Sequence, residues 1–218
     1  MASTPTSPPD AELLIATGCA HCPVVLEGLS QLIKQGQIGE LRITNIVQQP
    51  QRARELGVRS VPWLRLGPFI LEGLHSPTEL QQWAGRAGSI EGMGEYMQQQ
   101  LTQGKFDSIE SLLHQQPRWL PALIPLLENK DTAMQVRFGI DALLEALAQD
   151  SDFSPLIEPL GQLSQHPRPA LRNDALHYLA LSNDARALPF VKARLEDENE
   201  EVREAAQEAL ALLSDHAG

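Results

Sequence analysis

Residues 12–23 read Glu-Leu-Leu-Ile-Ala-Thr-Gly-Cys-Ala-His-Cys-Pro. The apolar run at 12–16 stops at Thr17-Gly18, which predicts a short buried strand ending in a turn. Residues 22–35 then carry Val25, Leu26, Leu29, Leu32 and Ile33 at helical spacing, and Gly36 follows where a helix C-terminus favours glycine. Cys19 and Cys22 therefore fall where a strand gives way to a helix. A thiol at a helix N-terminus faces backbone N–H groups without intrahelical partners and the positive end of the helix dipole, and both favour the thiolate. The spacing puts the second sulfur within reach of the first across one helical turn, so a mixed disulfide on Cys19 can be resolved by Cys22.

Two other readings of the pair compete. A zinc half-site needs a second pair of ligands, but the chain has no further cysteine. His75, His114, His166, His177 and His216 show no paired metal spacing. The other is an inert buried pair, against which the strand–CxxC–helix context counts. No metal and no cofactor is implied.

Outward from the motif, strand and helix signals continue to alternate. Residues 41–47 (LRITNIV) are β-branched and alternating, a second strand. Residues 50–56 form a short helix closed by Gly57. Residues 63–66 and 69–72 are two short strands around Gly67-Pro68, and a helix runs from Pro77 to about residue 83, capped by Ser76 or Thr78. This order predicts an α/β unit with a small mixed sheet covered by helices, its first two strands parallel and joined by a right-handed crossover.

After the glycine-bearing stretch 84–92 the strand signals end. From residue 93 to 213 the chain reads as helices separated by Pro, Asn, Asp or Gly. The pairs Val136-Arg137, Leu171-Arg172 and Val202-Arg203 recur, each after a polar or proline-bearing turn and each opening an Ala/Leu helix. Before each turn lies another apolar helix, at 119–127, 153–163 and 187–195, with prolines near its start (Pro121 and Pro125, Pro155 and Pro159, Pro189). One such helix pair cannot bury its apolar face alone, whereas three stacked pairs can. Residues 93–116 read as a further helical pair capping the stack against the first domain. The expected division is a flexible tail at 1–10, an α/β domain at 11–84, a linker at 85–92 and an all-α repeat domain at 93–218. The repeated arginines read either as an anion-binding stripe or, with more weight, as bonds within each repeat turn.

Charge follows the same division. The chain has 28 Asp and Glu against 17 Lys and Arg, and 20 of those acids lie in residues 93–218. A net charge of −11 argues against nucleic-acid binding, which needs cations to displace counterions from phosphates. It also predicts that a charge-steered partner of the repeats is basic and binds less well in salt. Two cysteines are too few for a disulfide-stapled secreted scaffold. The first ten residues lack the basic and apolar segments of a signal peptide, and no apolar run approaches the ~20 residues of a membrane span. The expectation is a soluble cytoplasmic protein that engages neither membrane nor nucleic acid.

Strand–CAHC–helix, followed by Gly57-Val58-Arg59-Ser60-Val61-Pro62-Trp63, resembles the thioredoxin superfamily over residues 11–84. The turn–Val/Leu-Arg–Ala–Leu pattern of the second half resembles HEAT-like repeats. The first resemblance implies a thioredoxin-like fold, with Cys19 as nucleophile, Cys22 as buried resolving cysteine and Pro62 as a cis-proline packed against them. It implies that the Val61 backbone pairs with an extended substrate, and that Ala20 and Trp63 lie on the substrate side. From its own sequence context Trp63 reads more readily as a core strand residue, since strand aromatics are usually core.

The sequence departs from the family in three places. Gly18 stands where a tryptophan is usual. Leu13 stands where the family has a buried acid, and the neighbouring Glu12 should point to the opposite face of the strand. Ala20-His21 replaces Gly-Pro, and a histidine at this place is similar to the strongly oxidising members of the superfamily. An imidazole N–H or imidazolium beside Cys19 would stabilise its thiolate and so the reduced form; the other reading of His21 is an exposed spacer.

These readings combine into a protein thiol–disulfide oxidoreductase. It would act on clients bearing disulfides or thiols, exchange electrons with an external thiol or disulfide, and use its helical arm to hold partners. The arrangement resembles the chaperedoxins, although that family carries tetratricopeptide-type repeats. The alternative is a non-enzymatic adaptor or chaperone-like holdase in which the cysteines form only a redox-sensitive clip.

Overall fold

The computed structural model describes residues 7–149 and 151–215. Of the tail expected at 1–10, residues 1–6 lie outside the described residues. The chain is tied down from Pro9, whose carbonyl accepts from Gly39 N–H, and Asp10, whose carbonyl accepts from Gly67 N–H. Contacts divide the chain into two compact units, residues 1–93 and 94–218.

The first unit contains β1 (Ala11–Ile15), α1 (Cys22–Lys34), β2 (Leu41–Asn45), α2 (Pro50–Glu55), β3 (Trp63–Leu66), β4 (Phe69–Glu72) and α3 (Pro77–Arg86). The sheet order is β2-β1-β3-β4. β1 and β2 are parallel, and the other pairs are antiparallel. This is a four-stranded mixed sheet with helices.

Register assigns each side chain to a face. Leu13 pairs with Leu64, Ala11 with Leu66, and Leu66 with Phe69, so these residues share one side. α1 and α3 cover that side. Val25 and Leu29 of α1 and Leu80 of α3 are fully buried, and the Phe69 ring meets Trp83 of α3 edge-on with centroids 4.9 Å apart. Gly28 lies where α1 meets α3; a Cβ there would come within 2.8 Å of Leu80 Cδ1. Ser76 caps α3 through a reciprocal pair, Glu79 N–H to Ser76 Oγ at 3.3 Å and Ser76 N–H to the Glu79 carboxylate at 2.7 Å. α3 runs on through Gly85 to Arg86, past the expected end near residue 83.

Glu12, Leu14, Trp63 and Arg65 share the opposite face. Glu12 is 5 % exposed there, its carboxylate held by Arg52 of α2 at 2.6 Å and by Arg65 of β3. A buried charge persists only when paired, and here two guanidinium groups supply the pairing.

Helix α4 (Ile90–Thr102) spans the division between the units. The second unit continues with α5 (Phe106–Gln115), a 3-10 segment Pro117–Leu123 leading into α6 (Ile124–Glu128), α7 (Met134–Leu147), α8 (Ser154–Leu163) and α9 (Pro169–Leu181). A second 3-10 turn, Ala185–Ala187, leads into α10 (Leu188–Lys192), and α11 (Glu200–Asp215) follows. The helices expected at 119–127 and 187–195 are each split into a 3-10 segment and a short α-helix. Pro121, Pro125 and Pro189 each lack the N–H that a continuous helix would use.

The three arginines close the repeat turns. Arg137 donates to the carbonyls of Leu127 and Asn129, Arg172 to those of His166 and Pro167, and Arg203 to those of Asp197 and Glu198. Turn carbonyls are the partners that all three share, which supports the reading as bonds within each repeat turn. Arg172 also reaches Asp197 in the next turn at 2.7 Å, with both side chains about as buried as core leucines (5 % and 3 % exposed). Leu143, Leu144 and Leu147 of α7, Leu156 and Leu160 of α8, and Leu176 and Leu179 of α9 are fully buried. Each contributes roughly 1.5–3 kcal/mol by leaving water.

Candidate active site

Cys19 stands on the loop joining β1 to α1, and Cys22 opens α1. Gly18 holds φ +82°, a left-handed conformation that side chains disfavour. Glycine in place of the family's tryptophan thus suits the tight exit from β1. Cys22 is the first residue of α1, and Pro23 fits the first turn, where a missing N–H costs nothing.

Cys19 and Cys22 are joined in a disulfide, with Cα atoms 5.5 Å apart. Cys22 is 4 % exposed, whereas Cys19 is only part-buried. The backbone N–H of Cys22 lies 3.2 Å from Cys19 Sγ. The helix thus aims a first-turn donor at the outer sulfur, the atom on which negative charge develops when the bond is broken.

The Val61–Pro62 peptide is cis. Pro62 is buried, and the Val61 carbonyl oxygen lies 3.9 Å from Cys19 Sγ. Residues 42 apart in sequence are thus in contact at the sulfur. Ala20 and His21 are exposed on the motif loop; His21 is the N-cap residue of α1, and its side chain makes no capping hydrogen bond. Trp63 is 5 % exposed and lies on the Glu12–Leu14 face of the sheet, away from the side that α1 covers. Its burial supports the core reading over substrate contact.

Two exposed apolar residues on the segments that carry the motif and the cis-proline contact were not singled out in the sequence. Gly73 N–H donates to the Pro62 carbonyl at 2.9 Å, which brings the half-exposed Leu74 (51 %) beside the Val61–Pro62 segment. Val24, in the first turn of α1, is 42 % exposed. Both are apolar residues in exposed positions, Leu74 next to the residue that bonds Pro62 and Val24 two positions after Cys22.

Glu12 does not serve as an acid beneath Cys22. It lies across the sheet from α1, held by Arg52 and Arg65. Among the described residues, no three or more His, Cys, Asp or Glu side chains come together in a way that could hold a metal ion. No helix among them is long and apolar enough to cross a membrane.

A thioredoxin-domain family model matches residues 11–85, and a HEAT-repeat family model matches residues 121–211. A comparison with curated proteins finds no match. The chain joins a thioredoxin-like domain, with a cysteine pair at the start of its first helix, to a stretch of HEAT repeats.

Proposed function

We propose that the chain is a protein thiol–disulfide oxidoreductase whose exchange site is Cys19-Ala20-His21-Cys22 and whose repeats hold a protein partner. The observation that carries this reading is the Cys19–Cys22 bond itself, with Cys19 only part-buried and a helix N–H at 3.2 Å from its sulfur.

In the reducing direction, the Cys19 thiolate attacks a client disulfide. A Cys19–client bond forms and one client sulfur leaves as thiolate. Cys22, deprotonated, then attacks Cys19 Sγ, the second client sulfur leaves, and the Cys19–Cys22 bond closes. Two electrons pass to the client, and an external thiol must restore the pair. In the oxidising direction, a client thiolate attacks Cys19 Sγ of the closed bond and the Cys22 thiolate leaves. The Val61 backbone offers the strand edge on which a client segment pairs, with Pro62 setting its position beside the sulfur and Ala20, Val24 and Leu74 offering apolar contact. His21 favours the Cys19 thiolate. With Glu12 engaged on the far face, water or another group carries the Cys22 proton. The proposed setting is the cytoplasm, with protein clients and neither nucleic acid nor membrane as partner.

The test is a Cys22→Ser trap. In cells, this variant should accumulate clients linked through Cys19, and a Cys19→Ser/Cys22→Ser control should not. Equal recovery from both would defeat the enzyme reading and favour the clip.

A further inference from the structure

The repeat unit presents a face that its own core does not use. On α7, Met134, Phe138, Asp141 and Glu145 follow one another at spacings of 4, 3 and 4, which puts them on a single side of the helix. Val136, Ile140, Leu143, Leu144 and Leu147 are buried on the opposite side. Met134 and Phe138 are each 65 % exposed.

This stripe borders a cleft of about 360 Å³ formed with α9 and α11. Its walls carry the carboxylates of Asp141, Glu145, Asp174 and Glu208, and the exposed Leu212 closes the α11 end. The volume lies near the lower limit of small-molecule pockets, but those are mostly apolar, and charged walls suit long cationic side chains better.

Little positive charge offsets the four carboxylates. Among the described residues, His177 is the only histidine, lysine or arginine in the lining. Arg137 is close enough to act on Asp174, but its guanidinium is committed to the carbonyls of Leu127 and Asn129. The Tyr178 hydroxyl donates to Asp141 and fixes that carboxylate in place. Burial and the neighbouring Asp141 hold the Asp174 carboxyl above the usual range, a repulsion that an arriving cation relieves. In the same cleft Asn173 Oδ1 is buried without a donor.

We infer that the α7–α9–α11 cleft is the docking site for a basic amphipathic peptide segment of a partner protein. Lys or Arg side chains of the segment enter between Asp141, Glu145, Asp174 and Glu208, and an apolar side chain rests on Phe138. The inference rests on the reading of the repeats as the partner-holding arm and names the chemistry of that partner. Charge complementarity chooses the occupant, because a phosphate backbone or an anionic lipid surface would be repelled by the same carboxylates.

The probe is a fluorescein-labelled, cysteine-free peptide of Lys and Leu at helical spacing, titrated with the full chain by anisotropy. Binding should weaken between about 50 and about 500 mM salt, and the same peptide with Glu in place of Lys should not bind. The exposed substitutions Glu145→Lys with Glu208→Lys, and separately Phe138→Ser, should each cut affinity about tenfold or more. Glu158→Lys with Glu196→Lys makes the same charge change outside the cleft and should cost less than about twofold. Circular dichroism checks that each variant is folded. Equal losses from both lysine pairs, an unchanged Phe138→Ser, or no binding of the basic peptide would each overturn the inference. Disulfide exchange at Cys19 is measured separately on the same proteins. Loss of the docking result with exchange intact therefore leaves the redox reading standing, and the converse leaves the docking site standing.

Discussion

The backbone N–H of Cys22 lies 3.2 Å from Cys19 Sγ, so the two residues of the disulfide are also donor and acceptor. When the bond opens toward a Cys19 thiolate, that N–H and the positive end of α1 already face the charge. Cys19 should therefore ionise more readily than an ordinary cysteine thiol. The rate of iodoacetamide alkylation of the reduced protein against pH reads this directly. A profile rising only above pH 8 would contradict it. Cys19→Ser should abolish exchange with a disulfide-bonded test protein, while Cys22→Ser should stall it at the mixed disulfide.

His21 stands between the cysteines, exposed and free of any capping bond. If its imidazole favours the Cys19 thiolate, it stabilises the reduced form. His21→Ala should then make the reduction potential more negative by about 30 mV, tenfold in the exchange constant. Equilibration with glutathione buffers measures it. An unchanged potential would leave His21 as the exposed spacer.

Glu12 is buried against Arg52 and Arg65, both of which reach solvent. Removing one partner of a buried pair costs up to about 3–5 kcal/mol. Here the arginines can turn outward, so Glu12→Gln should cost about 1–2 kcal/mol. A lower urea midpoint is expected, with unchanged exchange activity per folded molecule because Glu12 lies across the sheet from Cys22.

Asp197 sits at the junction between the second and third repeat turns. Burial pushes its carboxyl up, but the Arg172 guanidinium and the Asn199 N–H outweigh that and hold it below the usual range. A depressed carboxylate contributes stability that is present above its unfolded value of about 3.9 and is lost as pH falls through the folded value. The thermal midpoint of unfolding should therefore drop between pH 6 and pH 3, and the drop should be smaller in Asp197→Asn. At pH 6 that variant should already be about 3 kcal/mol less stable, since it removes the buried carboxylate that pairs with Arg172.

The parts of this molecule legible in the sequence are those that local chemistry dictates. Gly67-Pro68 punctuates two strands whose limits, Trp63–Leu66 and Phe69–Glu72, match the expected ones. Strict alternation along β1 put Glu12 on the side away from α1, where it lies. The repeated Val/Leu-Arg pairs marked the turns that those arginines close. What was not legible depends on distant residues. Nothing near Glu12 in sequence announces Arg52 or Arg65, 40 and 53 positions later. The division of the expected repeat helices into 3-10 and α segments follows from how each proline sits in its packed turn. Leu74 comes beside Pro62 only because the chain leaving β4 hydrogen-bonds back to it. The exposure of Phe138 shows only once α7 has turned its other side to the core.

The closed Cys19–Cys22 bond engages every sulfhydryl group the sequence possesses. The redox state of the whole polypeptide is therefore a binary label. A maleimide reagent adds two tags to the reduced chain and none to the oxidised one, so a gel shift or an intact mass gives the ratio of the two forms. A singly tagged chain whose intact mass exceeds that of one tagged polypeptide carries a disulfide-linked partner, which can be weighed without knowing in advance what it is.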